Sequence, residues 1–205
     1  MVEEQLIPRG IRSQTVLDAM RSVPRHLFVP EKLQGSAYDD SPLSIGRGQT
    51  ISQPYIVAFM TEQLEPVQGK KILEIGTGSG YQAAILACLG ANVYTIELLE
   101  EHAARAHRNL CGVNISNVTI KQGNGYSGWP QEAPFDAIII TAAPETIPAQ
   151  LIEQLKMEGT MVVPVGPLHS VQSLQRITRN RTGIIAQDIC PVRFVPMVDA
   201  KVDTC

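Results

Sequence analysis

The chain has no surplus of positive charge. Its 205 residues carry 17 Lys and Arg against 20 Asp and Glu, a formal net charge of −3. A nucleic-acid binder normally shows a strongly basic domain or face, so that class loses its simplest support. Cysteine is scarce and scattered. Cys88, Cys111, Cys190 and Cys205 form no Cys-x-x-Cys pair and no dense disulfide framework, as expected of a reduced, intracellular chain. Long apolar runs are missing too. The most apolar stretches, 137–143 and 161–165, fall far short of the roughly 20 residues a membrane helix needs. Met1-Val2-Glu3-Glu4-Gln5 is acidic where a signal peptide would be basic. A cytoplasmic protein with no membrane partner is expected. Metal spacing is also lacking. His102 and His107 stand five apart, not the four that places two ligands on one helix face, and His26 and His169 are remote, so no metal is expected.

What remains is ordinary globular composition, 44% hydrophobic and 18% charged. That length can bury a core without staples, as one domain with a modest appendage. Residues 1–69 read as an addition before a core at 70–166, and 167–205 as a hairpin and tail. Residues 13–23 carry Val16, Leu17, Met20 and Val23 at helical spacing, with Ser13 placed to cap them. A loop-rich stretch follows, with Pro30, Gly35, Pro42, Gly46 and Gly48. Pro54 sits where a helix can start, ahead of Ile56, Phe59, Met60 and Leu64. From residue 70 the pattern turns regular. Strands are expected at 71–75, 92–96, 118–121, 135–141 and 160–165. Helices are expected at 81–89, 98–110 and 144–155, with Cys88 and Cys111 as core thiols. That alternation predicts an α/β fold, a doubly wound, mostly parallel sheet with helices on both faces. Segments 173–178 and 184–198 flank Asn180-Arg181-Thr182-Gly183 and read as an antiparallel hairpin.

Parallel α/β sheets bind ligands at the carboxyl ends of their strands. The first such end reads Glu74-Ile75-Gly76-Thr77-Gly78-Ser79-Gly80-Tyr81. Alternate glycines let the backbone turn sharply and let a ligand approach with no Cβ in the way. The dinucleotide fingerprint needs glycine where Tyr81 stands, which disfavours a nicotinamide enzyme. Glu97 closes the next strand, where a carboxylate can accept from both hydroxyls of a ribose. Turn and acid together indicate an adenosine-type nucleoside. They do not by themselves separate NAD from S-adenosyl-L-methionine.

Two further segments are distinctive: Gly48-Gln49-Thr50-Ile51-Ser52-Gln53-Pro54-Tyr55, and Phe135-Asp136-Ala137-Ile138-Ile139-Ile140-Thr141-Ala142-Ala143-Pro144. With the glycine turn, residues 155–166 and Val192-Arg193-Phe194-Val195-Pro196, they make the chain resemble the protein-L-isoaspartate O-methyltransferase family over about residues 11–198. The resemblance implies a Rossmann-like methyltransferase sheet with an N-terminal helical addition and an antiparallel last strand. It implies S-adenosyl-L-methionine as donor and the α-carboxylate of an L-isoaspartyl residue in a damaged protein or peptide as acceptor. The methyl ester then closes to a succinimide, whose hydrolysis partly restores aspartate. A monomer is expected.

By the same resemblance, Ser52 matches the active-site serine, and Gln49, Thr50 and Ile51 line its pocket. Gly76, Thr77, Gly78, Ser79, Gly80 and Thr141 belong to the donor site, and Glu97 takes the ribose. Arg193 and Val195 lie beside the bound peptide. One loop departs from the family. Where Gly-Asp-Gly is usual, with the acid contacting the adenine amino group, this chain has Gly123-Asn124-Gly125. The Asn124 carbonyl can still accept there, without charge, and Trp129 or Tyr126 can stack or pack nearby.

Other readings stay open on the residues alone. Ser52, two places before Pro54, has the position of a helix N-cap. A methyltransferase for a small-molecule carboxylate would share the donor site. A nucleobase methyltransferase is disfavoured by Thr141-Ala142-Ala143-Pro144, where such enzymes show Asn/Asp-Pro-Pro-Tyr. A non-catalytic nucleoside-binding module would keep the glycines but have no use for Ser52.

Overall fold

The runs rich in Ile and Val do become buried strands, and their order places every loop that matters. A computed structural model describes residues 1–168 and 170–199. In order the chain forms α1 (Gln14–Ser22), β1 (Leu43–Gly46), β2 (Gln49–Ile51), α2 (Pro54–Glu62), β3 (Lys71–Ile75), α3 (Tyr81–Cys88) and β4 (Asn92–Glu97). Then come α4 (Glu100–Gly112), β5 (Val118–Gln122), β6 (Phe135–Ile140), α5 (Ala149–Gln154), β7 (Leu155–Val165), β8 (Gln172–Asn180) and β9 (Gly183–Val192). His169 and Cys205 lie outside the described residues.

Seven strands form one sheet in the order β5-β4-β3-β6-β7-β8-β9. The pairs from β5 across to β7 are parallel. β8 runs against β7, and β9 against β8. Side chains alternate along each strand. Ile72, Ala137, Ile139 and Val162 face one side, where they meet Met60, Leu64 and Leu86 from α2 and α3. Leu73, Ile138, Ile140 and Met161 face the other, where they meet Leu151 of α5. Both faces are covered, which is why these strands read as continuous apolar runs. β3 has β4 on one side and β6 on the other, so the strand order reverses there. A crevice opens at that switch point.

Several boundaries differ from those expected, each for a physical reason. The helix after β6 starts only at Ala149, because Pro144 and Pro148 remove backbone donors and Ile147 precedes a proline. β9 ends at Val192, and the chain then turns to pair Pro196 with Ala143. The loop-rich first third holds an unforeseen hairpin, β1 with β2. Cys88 and Cys111 are exposed, since both sit off the buried faces of their helices. Ser13 does cap α1, accepting from Val16 N at 3.3 Å.

Candidate active site

The switch-point crevice is built mostly from main chain. β3 ends at Ile75, and Gly76 (φ +96°), Gly78 (φ +53°) and Gly80 (φ +88°) turn the chain into α3. Glycine is required at 76 on two counts. An L side chain is strained at that φ, and a Cβ would sit 2.7 Å from Thr141 Oγ1. The turn is tied to both neighbouring strands. Gly76 N donates to Ile96 O at 2.9 Å, and Thr141 Oγ1 donates to Gly76 O at 2.7 Å. Gly80 serves differently from the expectation. A Cβ there would lie 3.3 Å from Ala106 Cβ, so Gly80 lets α4 pack closely and does not line the crevice.

Glu97 stands opposite the turn. Its Oε2 accepts from Gly78 N at 2.7 Å and its Oε1 from Leu99 N at 3.0 Å. Two main-chain donors hold the carboxylate rigidly and leave lone pairs for further donors such as the hydroxyls of a ribose. Beneath the turn lies a second acid that sequence reasoning passed over. Glu74 is fully buried, and its Oε2 accepts from Thr95 Oγ1 at 2.5 Å. Thr95 Oγ1 also meets Thr77 Oγ1 at 2.6 Å. Burial pushes the Glu74 carboxyl up to about 8, so it is mainly neutral at pH 7. One acid inside the apolar strand Lys71-Ile72-Leu73-Glu74-Ile75 was the available signal.

Two cavities meet at this edge. The inner one, about 400 Å³, is lined by Gly76, Thr77, Gly78, Ser79, Glu97 and Gly125 among others. The outer one, about 660 Å³, is lined by Arg9, Tyr55, Cys190, Arg193 and Phe194 among others. Thr50, Ser52, Thr141 and Val195 line both. Gln49 and Ile51 face the inner cavity. Ser52 follows β2 directly, and its hydroxyl has no hydrogen-bond partner among the described residues. It is not the helix cap, because Gln53 holds that position for α2 and Pro54 supplies the first helical residue.

Distant segments build the outer wall. Arg9 pairs with Asp40 and lies 3.6 Å over the Tyr55 ring centroid, and Tyr55 stacks on Phe59 at 5.6 Å. Gln172, buried at the start of β8, accepts from Phe194 N at 2.9 Å and so fixes the backbone that carries that ring. Burial raises the Cys190 thiol, which leaves it a neutral wall. Ala143 N donates to Val195 O and Met197 N to Ala143 O, each at 2.8 Å, so the C-terminal segment is strapped across the site. That strap adds Met197 and Val198 to the inner cavity, which the sequence did not reveal. Asn124 does not line either cavity, although Gly125 beside it does. Trp129 packs edge-on against Tyr94 at 5.5 Å, and the Tyr126 hydroxyl donates to Met197 O. Neither ring lines the inner cavity.

A parallel sheet closed by antiparallel strands, with a glycine turn and an acid at its switch point, is the architecture of the Rossmann-like methyltransferases. The profile of the protein-L-isoaspartate(D-aspartate) O-methyltransferase family matches residues 1–202. A protein-L-isoaspartate O-methyltransferase of Gloeobacter violaceus is 54% identical over 201 residues, covering 98% of each chain. One of Opitutus terrae is 53% identical, over 98% of this chain and 86% of its own. A Plasmodium falciparum chain named for the same activity, solved in complex with S-adenosyl-L-homocysteine, superposes with a TM-score of 0.84. It is 26% identical, and the match covers 96% of both chains. This chain belongs to the protein-L-isoaspartate(D-aspartate) O-methyltransferase family.

Proposed function

We propose that this chain transfers the methyl group of S-adenosyl-L-methionine to the α-carboxylate of L-isoaspartyl residues in damaged proteins and peptides. The observation that carries this reading is the pair of joined cavities with Ser52 at their junction. The inner cavity suits the donor. Its glycine turn presents backbone without side-chain bulk at Gly76 and Gly78, and Glu97 offers a fixed carboxylate to the ribose. When bound, the donor supplies an electrophilic methyl group on a sulfonium. The outer cavity is larger than a lone carboxylate needs, which favours an acceptor carried on a peptide over a free small acid.

A peptide carboxylate has an ordinary pKa near 4 and is already ionised at pH 7. No proton has to leave it, so the chain needs no general base. Alignment remains, and it can supply on the order of 7–11 kcal/mol in favourable systems. Ser52 Oγ donates one hydrogen bond to the non-attacking oxygen and so fixes the acceptor's direction. Gln49, Thr50 and Ile51 wall that position, and Val195 and Arg193 run beside the peptide. The N-terminal addition shares a core cluster with α3 and α4, which supports one domain over residues 1–205. Among the described residues no helix is long and apolar enough to cross a membrane. The slight negative charge agrees with action on proteins rather than on nucleic acid; a cytoplasmic monomer remains part of the proposal.

The test is transfer of labelled methyl to an isoaspartyl peptide, with the normal aspartyl peptide as control. The isoaspartyl backbone carries one extra methylene, so only it presents an α-carboxylate on the short arm. Selective labelling is expected. Equal labelling of both peptides, or of neither, contradicts the proposal.

A further inference from the structure

The place of Ser52 Oγ depends on the main chain on either side of it. Upstream, β2 ends at Ile51, which pairs with Leu43 of β1. Downstream that ladder has no donor at Pro54, which lacks a backbone N–H. α2 also starts without a local cap, since the Gln53 side chain makes no capping bond. Asp40 makes good both deficits from a separate loop. Its Oδ1 accepts from Tyr55 N at 3.3 Å, one of the first-turn donors that a helix cannot satisfy by itself. Its main-chain carbonyl accepts from Gln53 Nε2 at 2.7 Å. Its Oδ2 pairs with Arg9, whose guanidinium lies over the Tyr55 ring. Asp40 is itself held in place. Buried Arg25 donates through Nε to Ala37 O at 2.7 Å, and Gln5 Nε2 donates to Tyr38 O at 3.0 Å. The loop is thus pinned just ahead of Asp40.

We infer that Asp40 is a positioning residue for methyl transfer: by clamping Gln53 and Tyr55 it fixes the main chain at Ser52, and with it the direction from which the hydroxyl meets the acceptor. The inference rests on the reading above, in which Ser52 Oγ orients the α-carboxylate. Asp40 lines neither cavity, so it acts through what it holds. What it holds lies one and three places past the serine, and the Leu43–Ile51 pairing holds the place before it. A carboxylate at the first turn of α2 also suits the positive end of the helix dipole. The lever is long. A displacement of about 1 Å in a catalytic arrangement can cost on the order of 10²-fold in rate, even when its origin is remote from the chemistry. Ser52 has one hydroxyl hydrogen to aim, so a small turn of its backbone is enough to lose the bond.

A double-mutant cycle on the full chain tests this, with kcat read from labelled methyl transfer to an isoaspartyl peptide. Asp40→Ala should lower kcat roughly 10- to 100-fold. In a Ser52→Ala background the same change should cost less than about twofold, because no hydroxyl is left to misplace. A merely structural aspartate would cost the same factor in both backgrounds. Calorimetry with S-adenosyl-L-homocysteine should show donor affinity within about twofold of wild type in Asp40→Ala, the mark of a folded chain. Asp40→Asn keeps an acceptor for Tyr55 N and should recover part of the lost kcat. Gln53→Met leaves the carboxylate alone and removes only the bond to the Asp40 carbonyl. It should lower kcat severalfold with the same dependence on Ser52, and it decides the matter if Asp40→Ala does not fold. Full kcat in Asp40→Ala, or equal losses with and without Ser52, overturns the inference and leaves the proposed function standing. A wild-type chain that labels no isoaspartyl peptide overturns both.

Discussion

The two cavities that meet at Ser52 are made in opposite ways. The donor side has a local main-chain centre, the glycine turn and the acid closing the next strand, Gly76 to Glu97, and more distant residues such as Gln49, Gly125 and Met197 only complete its lining. The acceptor side is assembled from side chains on far-apart segments: Arg9 and Pro42, then Tyr55, then Cys190 to Val195. Backbone geometry tolerates little change, so the donor side should fail sharply when altered. A wall of packed side chains yields gradually, so the acceptor side should shift in affinity and not collapse.

Ser52, which belongs to both, should show the largest effect. Ser52→Ala should lower kcat by roughly 10²–10³, the usual loss for one well-aimed donor. Because its hydroxyl caps nothing, thermal stability and donor affinity should stay near wild type. A matching fall in Tm would instead return Ser52 to a structural role. Gly76→Ala comes next. Its Cβ would meet Thr141 Oγ1 at 2.7 Å at a positive φ, a strain of about 1–3 kcal/mol. Calorimetry should show donor affinity reduced by roughly 10- to 100-fold. Wild-type affinity would mean that the turn is not the cradle.

Phe194→Ala should be milder and should stay on one side. The KM for peptide should rise severalfold, while donor affinity holds. A change in donor affinity of similar size would erase the distinction between the two sides. Glu74→Gln is the smallest and acts through stability. The native carboxyl titrates at about 8 against an ordinary 4.5. Between those values the native state keeps a proton that the unfolded chain has lost. Stability therefore falls as pH rises through that window and levels off above it. Glutamine carries no such proton. The Tm of the variant should decline less between pH 5 and 8, and parallel profiles would contradict a neutral Glu74.

The same contrast explains what could be read in advance. Short apolar runs marked β3, β4 and β6, and the glycines and Glu97 marked the donor side, because each signal lies within one short segment. Gly80 was assigned to the ligand because spacing cannot tell a glycine that admits a ligand from one that admits a helix. Arg9 and Met197 carried no signal, since only the fold brings the first and last parts of the chain to β6. Cys88 and Cys111 were misplaced because helical position says little about which face is buried. On the residues alone Ser52 has the position of a helix cap, and the proline that suggests capping in fact moves the cap to Gln53.

Methyl transfer in this site requires both ligands to arrive at one serine. A crystal structure with S-adenosyl-L-homocysteine and an isoaspartyl peptide tests that most directly. The α-carboxylate should lie within about 3 Å of Ser52 Oγ, one oxygen on the hydroxyl and the other facing the sulfur. A peptide carboxylate held elsewhere in the outer cavity, with Ser52 touching neither ligand, would contradict it.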